Sequence, residues 1–268
     1  MNDKMLIPTV GFGTWQISDA EAPKIVEEAL EIGYRLIDTA AMYKNEEGIG
    51  AALKNTKLKR EEIFLATKVW NTDQGYDATL RAMDSSLSKL KTDYLDLYMI
   101  HWPAPKQDKY LSSWKALMRL RKEGIAKTIG VCNFNQEQIE RLINETGIIP
   151  AVNQIELHPH FQQKELRAFH EKHNIVTEAW SPLARGKLFS DEQIVAIAKT
   201  HNKTPAQIVL RWHFDNGIIA IPKSSTESRI LENIDIFNFS LTPSELTILS
   251  TIDNINGRTG PSPDTADF

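Results

Sequence analysis

The chain has 268 residues, of which 41% are hydrophobic, enough for a sizeable core. Its net charge of −4 gives no support to a nucleic acid or an anionic membrane as a partner. The one cysteine, Cys132, rules out an intrachain disulfide, and we recognise neither a secretory leader nor a membrane-spanning apolar run, so we expect a cytoplasmic protein.

In chain order, short apolar runs alternate with amphipathic helical stretches. The predicted strands are 9–15, 36–40, 63–69, 94–101, 128–133, 151–157, 175–180 and 218–223. Capping boxes at 18–21, 190–193 and 204–207 predict helix starts, and Gly33 is expected to end the first helix. Helices near 226–234 and 242–252 follow the last strand, and 257–268 is predicted as irregular coil.

Eight strands that alternate with helices, without a linker-like stretch, predict one α/β domain over residues 1–268, a (β/α)8 TIM barrel. The strands are nearly continuous apolar runs, which is typical of parallel strands buried on both faces. A doubly wound open sheet is the alternative, but even spacing favours closure. In such barrels the chemistry lies at the carboxyl ends of the strands.

Polar residues stand at several of these strand ends. Asp38, Lys68 and His101 end the second, third and fourth strands, and Tyr43 lies in the loop after Asp38. A tyrosine serves as a general acid when its pKa, about 10 if unperturbed, is lowered toward neutrality. We expect Lys68 to lower that pKa and Asp38 to keep Lys68 charged. His101 can orient a carbonyl oxygen or share in proton relay, so the set predicts proton delivery to a carbonyl that receives a hydride.

None of these side chains donates hydride, so the prediction requires a nicotinamide cofactor. The chain has no Gly-x-Gly-x-x-Gly motif after a strand and no P-loop. An anion site is predicted instead at 223–226, where the eighth strand meets a helix, with Arg229 one turn later. The extra cations favour the 2′-phosphate of NADP. Trp180 offers a face for the nicotinamide ring, and Asn133 and Gln154 can hold its carboxamide.

Seven segments carry a resemblance to a known family. They are 33–46 (GYRLIDTAAMYKNE), 67–70, 100–103, 130–134, 153–159, 180–183 and 221–233. In this order and spacing, the sequence resembles the aldo-keto reductases along essentially its whole length. The ending at 258–261 is similar to the bacterial branch, and its short tail favours broad substrate selection.

The resemblance implies NADPH-dependent reduction of aldehydes and ketones by a catalytic tetrad of Asp38, Tyr43, Lys68 and His101. It implies cofactor contacts through Asn133, Gln154, Trp180, Ser181, Leu183, Lys223, Ser224, Arg229, Glu232 and Asn233. A monomer acting on a small carbonyl compound is the family-level expectation.

Two features depart from the family pattern. Cys132 stands where the family usually has serine, which weakens or removes one hydrogen bond to the carboxamide. The amino terminus is short for the hairpin that usually plugs the bottom of the barrel. We further expect Trp15, Trp70 and Trp102, which follow strand ends, to form an apolar wall of the substrate pocket rather than core.

Three rival interpretations stay open at this point. Lys68 alone suits a Schiff-base aldolase, although Asp38 should keep this lysine charged. His158 and His160 resemble the metal site of barrel hydrolases, but further ligands are not apparent and we expect no metal. A nucleotide-sensing binding protein on the same fold is the rival from another functional class, and the intact tetrad argues against it.

Overall fold

A computed structural model describes residues 7–266 of the chain. Within these residues, eight parallel strands form one sheet in sequence order. They are β1 (Gly11–Gly13), β2 (Leu36–Asp38), β3 (Phe64–Val69), β4 (Leu95–Ile100), β5 (Ala126–Cys132), β6 (Val152–Glu156), β7 (Val176–Trp180) and β8 (Ile219–Ala220). Val10 forms a parallel bridge with Ala220, so the first and last strands meet. The predicted barrel is confirmed, and the open doubly wound sheet is wrong.

Each strand leads into at least one helix, as predicted. Within residues 7–266 the α-helices are α1 (Ala22–Ile32), α2 (Glu46–Asn55), α3 (Tyr76–Leu90), α4 (Tyr110–Lys122), α5 (Gln136–Thr146), α6 (Lys164–His173), α7 (Glu192–His201), α8 (Pro205–Asp215), α9 (Glu227–Ile234) and α10 (Pro243–Thr251). Short 3-10 helices cover Ala41–Tyr43, Arg60–Glu62, Asn71–Asp73 and Ala184–Gly186. The helices surround the strands and leave the loops at the carboxyl ends free to form a site.

The helix starts agree with the predicted caps in part. Thr204 caps α8 by a full capping box, as predicted. The prediction of Ser190 as the cap of α7 is wrong, because the carboxylate of Asp191 accepts hydrogen bonds from two amides of the first turn. Ser18 does bond to Glu21, but α1 begins only at Ala22.

The barrel interior follows the two-residue period of the strands. Leu36, Ala66 and Val152 are fully buried in one apolar cluster. Side chains two positions further along a strand point to the same interior. At those positions stand Asp38, Lys68 and Gln154. The same alternation therefore places apolar side chains in the core and polar side chains at the carboxyl ends of the strands.

The carboxyl-terminal tail lies across the same end of the barrel. Residues 257–266 form turns and coil, as predicted, and 267–268 lie outside the described residues. Glu156, at the end of β6, accepts hydrogen bonds from the Thr259 amide and hydroxyl at 2.6 Å and from the Gly260 amide at 3.0 Å. The expectations about a leader and a bottom-plugging hairpin fall partly on residues 1–6, outside the described part. In the part that is described, every helix is too short or too polar to cross a membrane.

Candidate active site

A cavity of about 450 Å³ opens at the carboxyl end of the barrel. Three of the four predicted catalytic residues, Asp38, Tyr43 and His101, line it. Lys68 lies beneath the floor, with no exposed surface. The structure therefore brings all four residues to one end of the barrel, as their positions at consecutive strand ends predict.

The floor of the cavity rests on a buried ion pair. Lys68 Nζ donates to Asp38 Oδ1 at 2.6 Å and to the Thr39 carbonyl at 2.8 Å. Gln154 Nε2 donates to the other carboxylate oxygen of Asp38 at 2.9 Å. Burial is the largest single effect on Lys68 and lowers its pKa, but Asp38, Tyr43 and Cys132 together raise it, and the net pKa lies above the ordinary lysine value. Lys68 is thus held as an ammonium, which disfavours a Schiff-base role because that role needs a neutral amine.

Tyr43 ends a short 3-10 helix that follows β2, and Lys68 Nζ lies 5.4 Å from the centre of its ring. Burial raises the pKa of Tyr43, Lys68 lowers it, and the net pKa is above the ordinary tyrosine value. The prediction of a pKa lowered toward neutrality is therefore wrong for the protein alone, because desolvation outweighs the ammonium. The phenol keeps its proton at neutral pH, which is the form that a proton donor needs.

His101 follows β4 directly and packs edge-on against Trp70 and Tyr43, with ring centres 5.0 and 5.6 Å apart. Burial, with the charge of Lys68, holds the pKa of His101 well below its ordinary value. The ring is therefore neutral, and its Nδ1 atom has no hydrogen-bond partner in the described protein. A neutral imidazole suits the orienting role better than relay through an imidazolium.

Two amides and a thiol form the side of the cavity next to Asp38. Asn133 Nδ2 donates to the His101 carbonyl at 3.0 Å and to Cys132 Sγ at 3.1 Å. The Cys132 thiol donates to Gln154 Oε1 at 3.6 Å, a long and weak contact. Burial raises the pKa of this thiol well above its ordinary value. Cys132 is thus a neutral thiol between the two amides, and the loss of a hydrogen bond to the carboxamide relative to serine stays a prediction.

Trp180 ends β7 and lines the cavity, where its Nε1 donates to Asn133 Oδ1 at 2.8 Å. Asn133 and Ser181 both adopt a left-handed backbone conformation, with φ of 64° and 47°. Such conformations are uncommon outside glycine and often occur at functional sites. The sharp turns after β5 and β7 bring Asn133 and Trp180 together.

The three tryptophans predicted as a substrate wall all line the cavity. Trp102 is buried at 6% exposure, whereas Trp15 is 37% exposed at the rim. Met42, which the sequence did not single out, also lines the cavity and is 43% exposed. The wall is therefore apolar and aromatic, with Trp15 and Met42 open to solvent.

The ten predicted cofactor residues fall into two groups. The first group lines the cavity and consists of Asn133, Gln154, Trp180, Ser181, Leu183 and Lys223. The second group lies beyond it, on the loop after β8 and on α9, and consists of Ser224, Arg229, Glu232 and Asn233. Arg229 is exposed, whereas Glu232 already accepts a hydrogen bond from Thr204 Oγ1 at 2.8 Å. Lys223 of the first group and Ser224 of the second are adjacent in the chain, so the second group begins where the cavity ends.

The metal-site alternative receives no support. His158 is buried, with Nε2 3.5 Å from Glu156 Oε1, whereas His160 bonds to Asp191 at 2.8 Å. The two histidines thus have separate partners. In residues 7–266 no three His, Cys, Asp or Glu side chains are grouped to hold a metal ion.

Sequence reasoning missed three charged residues near the site. Glu178 lies inside β7 at 1% exposure, Arg185 lines the cavity with its guanidinium 5.2 Å from the Trp15 ring, and Glu156 holds the tail. A signal existed for Glu178, since it is the only acid in the apolar run 175–180 and shares a face with Trp180. Glu156 gave no such signal, because its partners lie 103 and 104 residues away.

Comparisons with known proteins agree with this geometry. The profile of the Aldo/keto reductase family matches residues 9–254. The chain is 52% identical to a methylglyoxal reductase DkgA of Yersinia pestis over 264 residues, covering 98% of this chain and 94% of the relative. It is 50% identical to the methylglyoxal reductase DkgA of Escherichia coli K12, covering 98% and 96%.

A solved structure gives the same result. A mutant of Gox0644 in complex with NADPH superposes with a TM-score of 0.96 at 50% identity, covering 100% of this chain and 97% of that one. Fold and sequence thus agree with these relatives over nearly the full length of the chain. The chain belongs to the aldo/keto reductase family.

Proposed function

We propose that this protein reduces aldehydes and ketones with NADPH and that Tyr43 is the proton donor. The observation that carries the proposal is the buried Asp38–Lys68 pair, whose ammonium lies 5.4 Å from the Tyr43 ring beneath the cavity. A fixed cation there favours charge developing on the phenol oxygen as the proton leaves, in a site with little water. The family membership of the chain supports the same reaction.

The residues of the first group fit a nicotinamide carboxamide. Within residues 7–266, Asn133 Oδ1 accepts one hydrogen bond, from Trp180, and Gln154 Oε1 accepts only the long contact from Cys132. A carbonyl oxygen accepts two hydrogen bonds, so both amides retain capacity toward the cavity. When bound, the reduced nicotinamide supplies the hydride.

The second group fits the phosphates. Thr226 makes no side-chain cap at the start of α9, so the first-turn N–H groups of this helix lack that partner. Lys223, at the cavity, and Arg229, on the first turn of α9, are both exposed cations. We assign Arg229 to the 2′-phosphate, because a guanidinium binds a phosphate through two parallel hydrogen bonds.

The remaining roles in the reaction are assigned to side chains of the chain itself. Tyr43 holds the proton that goes to the carbonyl oxygen, and neutral His101 donates a hydrogen bond that orients this oxygen. Lys68 and Asp38 tune Tyr43 from below. The aromatic wall of Trp15, Trp70 and Trp102 excludes water from the reacting carbonyl.

For the substrate, the aromatic rim suits small dicarbonyls such as methylglyoxal, aromatic aldehydes or sugar-derived ketones. Two relatives are named methylglyoxal reductases, which puts the dicarbonyls first. We further propose a single-domain, monomeric enzyme of the cytoplasm, a location supported by the single buried cysteine. Sedimentation analysis would test the monomer.

The test is substrate-dependent loss of the reduced nicotinamide absorbance. NADPH and NADH are compared against methylglyoxal, an aromatic aldehyde and a keto sugar, with Tyr43→Phe as the control. Turnover with NADPH that falls in the control supports reaction, cofactor and proton donor together. Tight NADPH binding without turnover on any substrate would instead favour the nucleotide-sensing alternative.

A further inference from the structure

Glu178 is a buried acid that the reaction outlined above does not use. It lies in the middle of β7 at 1% exposure. Neither of its carboxyl oxygens has a hydrogen bond of good geometry in the described protein, although the Gln154 side chain is near enough to oppose the rise of its pKa. An ionised carboxylate without partners is costly in such a place, so the position favours the neutral acid.

The strand register places this acid next to the catalytic network. Glu178 pairs with Gln154 across β6 and β7, and Gln154 Nε2 donates to Asp38 Oδ2 at 2.9 Å. On the other side Glu178 pairs with Ile219, an apolar residue of β8. Glu178 is also two positions before Trp180 and therefore points into the barrel with it. Gln154 thus links the strand position of Glu178 to the Asp38–Lys68 pair.

The charge balance of the interior decides the protonation of Glu178. The titratable groups that act on it are Asp38 of β2 and Lys68 of β3, and Glu178 in turn acts on the Cys132 thiol of β5. Burial, followed by the charge of Asp38, raises the pKa of Glu178 to about 8, against the opposing effects of Lys68 and Gln154. Asp38 and Glu178 thus compete for the same ammonium, which can compensate only one of these two carboxylates.

We propose that Glu178 is a positioning residue of the active site, kept as a neutral acid so that Lys68 serves Asp38 and Tyr43 alone, and that its ionisation switches the enzyme to a less active form. The inference rests on the proposed function. The neutral acid leaves the interior with one cation and one anion. Loss of its proton adds a negative charge beside Gln154, weakens the effect of Lys68 on Tyr43 and offers Gln154 a second anionic acceptor.

The effect on turnover follows from this charge. A neighbouring charge shifts a pKa by about one unit or more, which is a tenfold change in the ease of forming the phenolate. We expect kcat/KM for carbonyl reduction to fall about tenfold as pH rises through about 8. Tyr43 itself does not cause this fall, because its pKa lies above the ordinary tyrosine value.

The test compares the pH profiles of three proteins. Glu178→Gln keeps the size of the side chain but cannot ionise. Glu46→Gln is the control, because Glu46 is a similarly buried acid that accepts hydrogen bonds from Thr67 and Ser86 and feels Lys68 only as the smallest of the effects on its pKa. We expect Glu178→Gln to keep its activity at neutral pH and to lose the alkaline fall, and Glu46→Gln to retain that fall. An alkaline fall that persists in Glu178→Gln, or a folded Glu178→Gln that is inactive at every pH, overturns the proposal.

A second readout needs no turnover and so separates this proposal from the proposed function. Because the folded-state pKa of Glu178 is raised from 4.5 to about 8, its contribution to stability is lost as pH rises between these values. The melting temperature of Glu178→Gln should therefore rise relative to the wild type across this window and level off above it. A constant difference in melting temperature contradicts a neutral Glu178.

If Glu178→Gln does not fold, infrared titration of Glu46→Gln replaces it. A protonated carboxyl band that is present at neutral pH and disappears above about 8 supports the proposal. The absence of such a band at neutral pH overturns it.

Discussion

Replacing Lys68 by methionine tests whether the floor of the active site is a buried ion pair. The side chains of Lys68 and Asp38 are 0% and 2% exposed, with 2.6 Å between Nζ and Oδ1. Removal of one partner of a buried pair costs about 3–5 kcal/mol, because the other charge stays buried and unpaired. Asp38 keeps its hydrogen bond from Gln154, whereas the Thr39 carbonyl loses its bond from Lys68, so we expect a value inside this range.

Thermal unfolding converts this cost into a measurable shift. In a domain of this size 1 kcal/mol corresponds to about 2 °C, so Lys68→Met should melt roughly 6–10 °C below the wild type. The pKa of Lys68 is raised in the folded protein, so its contribution is fully present below the ordinary lysine pKa and is lost only as pH rises through the folded value. A measurement near neutral pH therefore records the whole effect.

Two further variants show whether the loss of stability in Lys68→Met comes from the buried ion pair. Lys127→Met removes a lysine that is 41% exposed and pairs with Asp96 at 3.3 Å, and a surface pair of this kind contributes about 1 kcal/mol or less. The double variant Asp38→Asn/Lys68→Met buries no charge and should recover part of the lost stability. A Lys68→Met protein that melts within about 2 °C of the wild type would refute the buried pair.

Three other predictions concern function. Tyr43→Phe should lower kcat by at least ~100-fold, the typical contribution of a general acid, and leave NADPH binding unchanged by fluorescence titration. Arg229→Ala should weaken the binding of NADPH about 10-fold or more but the binding of NADH little, since a charge-assisted hydrogen bond contributes about 1.5–3 kcal/mol. Equal losses of affinity for both cofactors would contradict the 2′-phosphate assignment. Glu156→Gln should speed hydrogen exchange at the Thr259 and Gly260 amides by about 10-fold, since both now bond to a carboxylate; unchanged exchange would show that Glu156 does not hold the tail.

The fold was predictable because it depends on local patterns. All eight strands form where the apolar runs indicate, since a buried parallel strand needs an uninterrupted apolar run. The ends were less predictable. β8 stops at Ala220 rather than at the predicted Lys223, and Pro222, which lacks an N–H, cannot donate to the ladder there. The cap of α7 moved from Ser190 to Asp191 because both residue types cap helices and only the backbone path decides between them.

The sequence was enough to predict which residues of the site lie close together, but not the pKa values that result. Asp38, Lys68 and Gln154 could be placed together because each stands where a strand ends. Their consequences for Tyr43 could not be derived, since the pKa depends on how much water surrounds the phenol as well as on the ammonium. The hydrogen bond between Glu156 and Thr259 of the tail could not be predicted for another reason, because no periodicity links residues that are 103 positions apart.

The raised pKa of Tyr43 changes how the tetrad is understood. An acid that holds its proton firmly in the protein alone can transfer it only to a stronger base, and the oxygen of a carbonyl that has received a hydride is such a base. In the proposed reaction Lys68 acts on the phenolate that forms rather than on the resting phenol, so its stabilisation falls on the transition state. A neutral Glu178 serves the same end, because a second anion would draw on the charge of Lys68. The proposed mechanism therefore needs the charge of Lys68 to act mainly on Asp38 and Tyr43, while the substrate oxygen supplies the driving force for proton transfer.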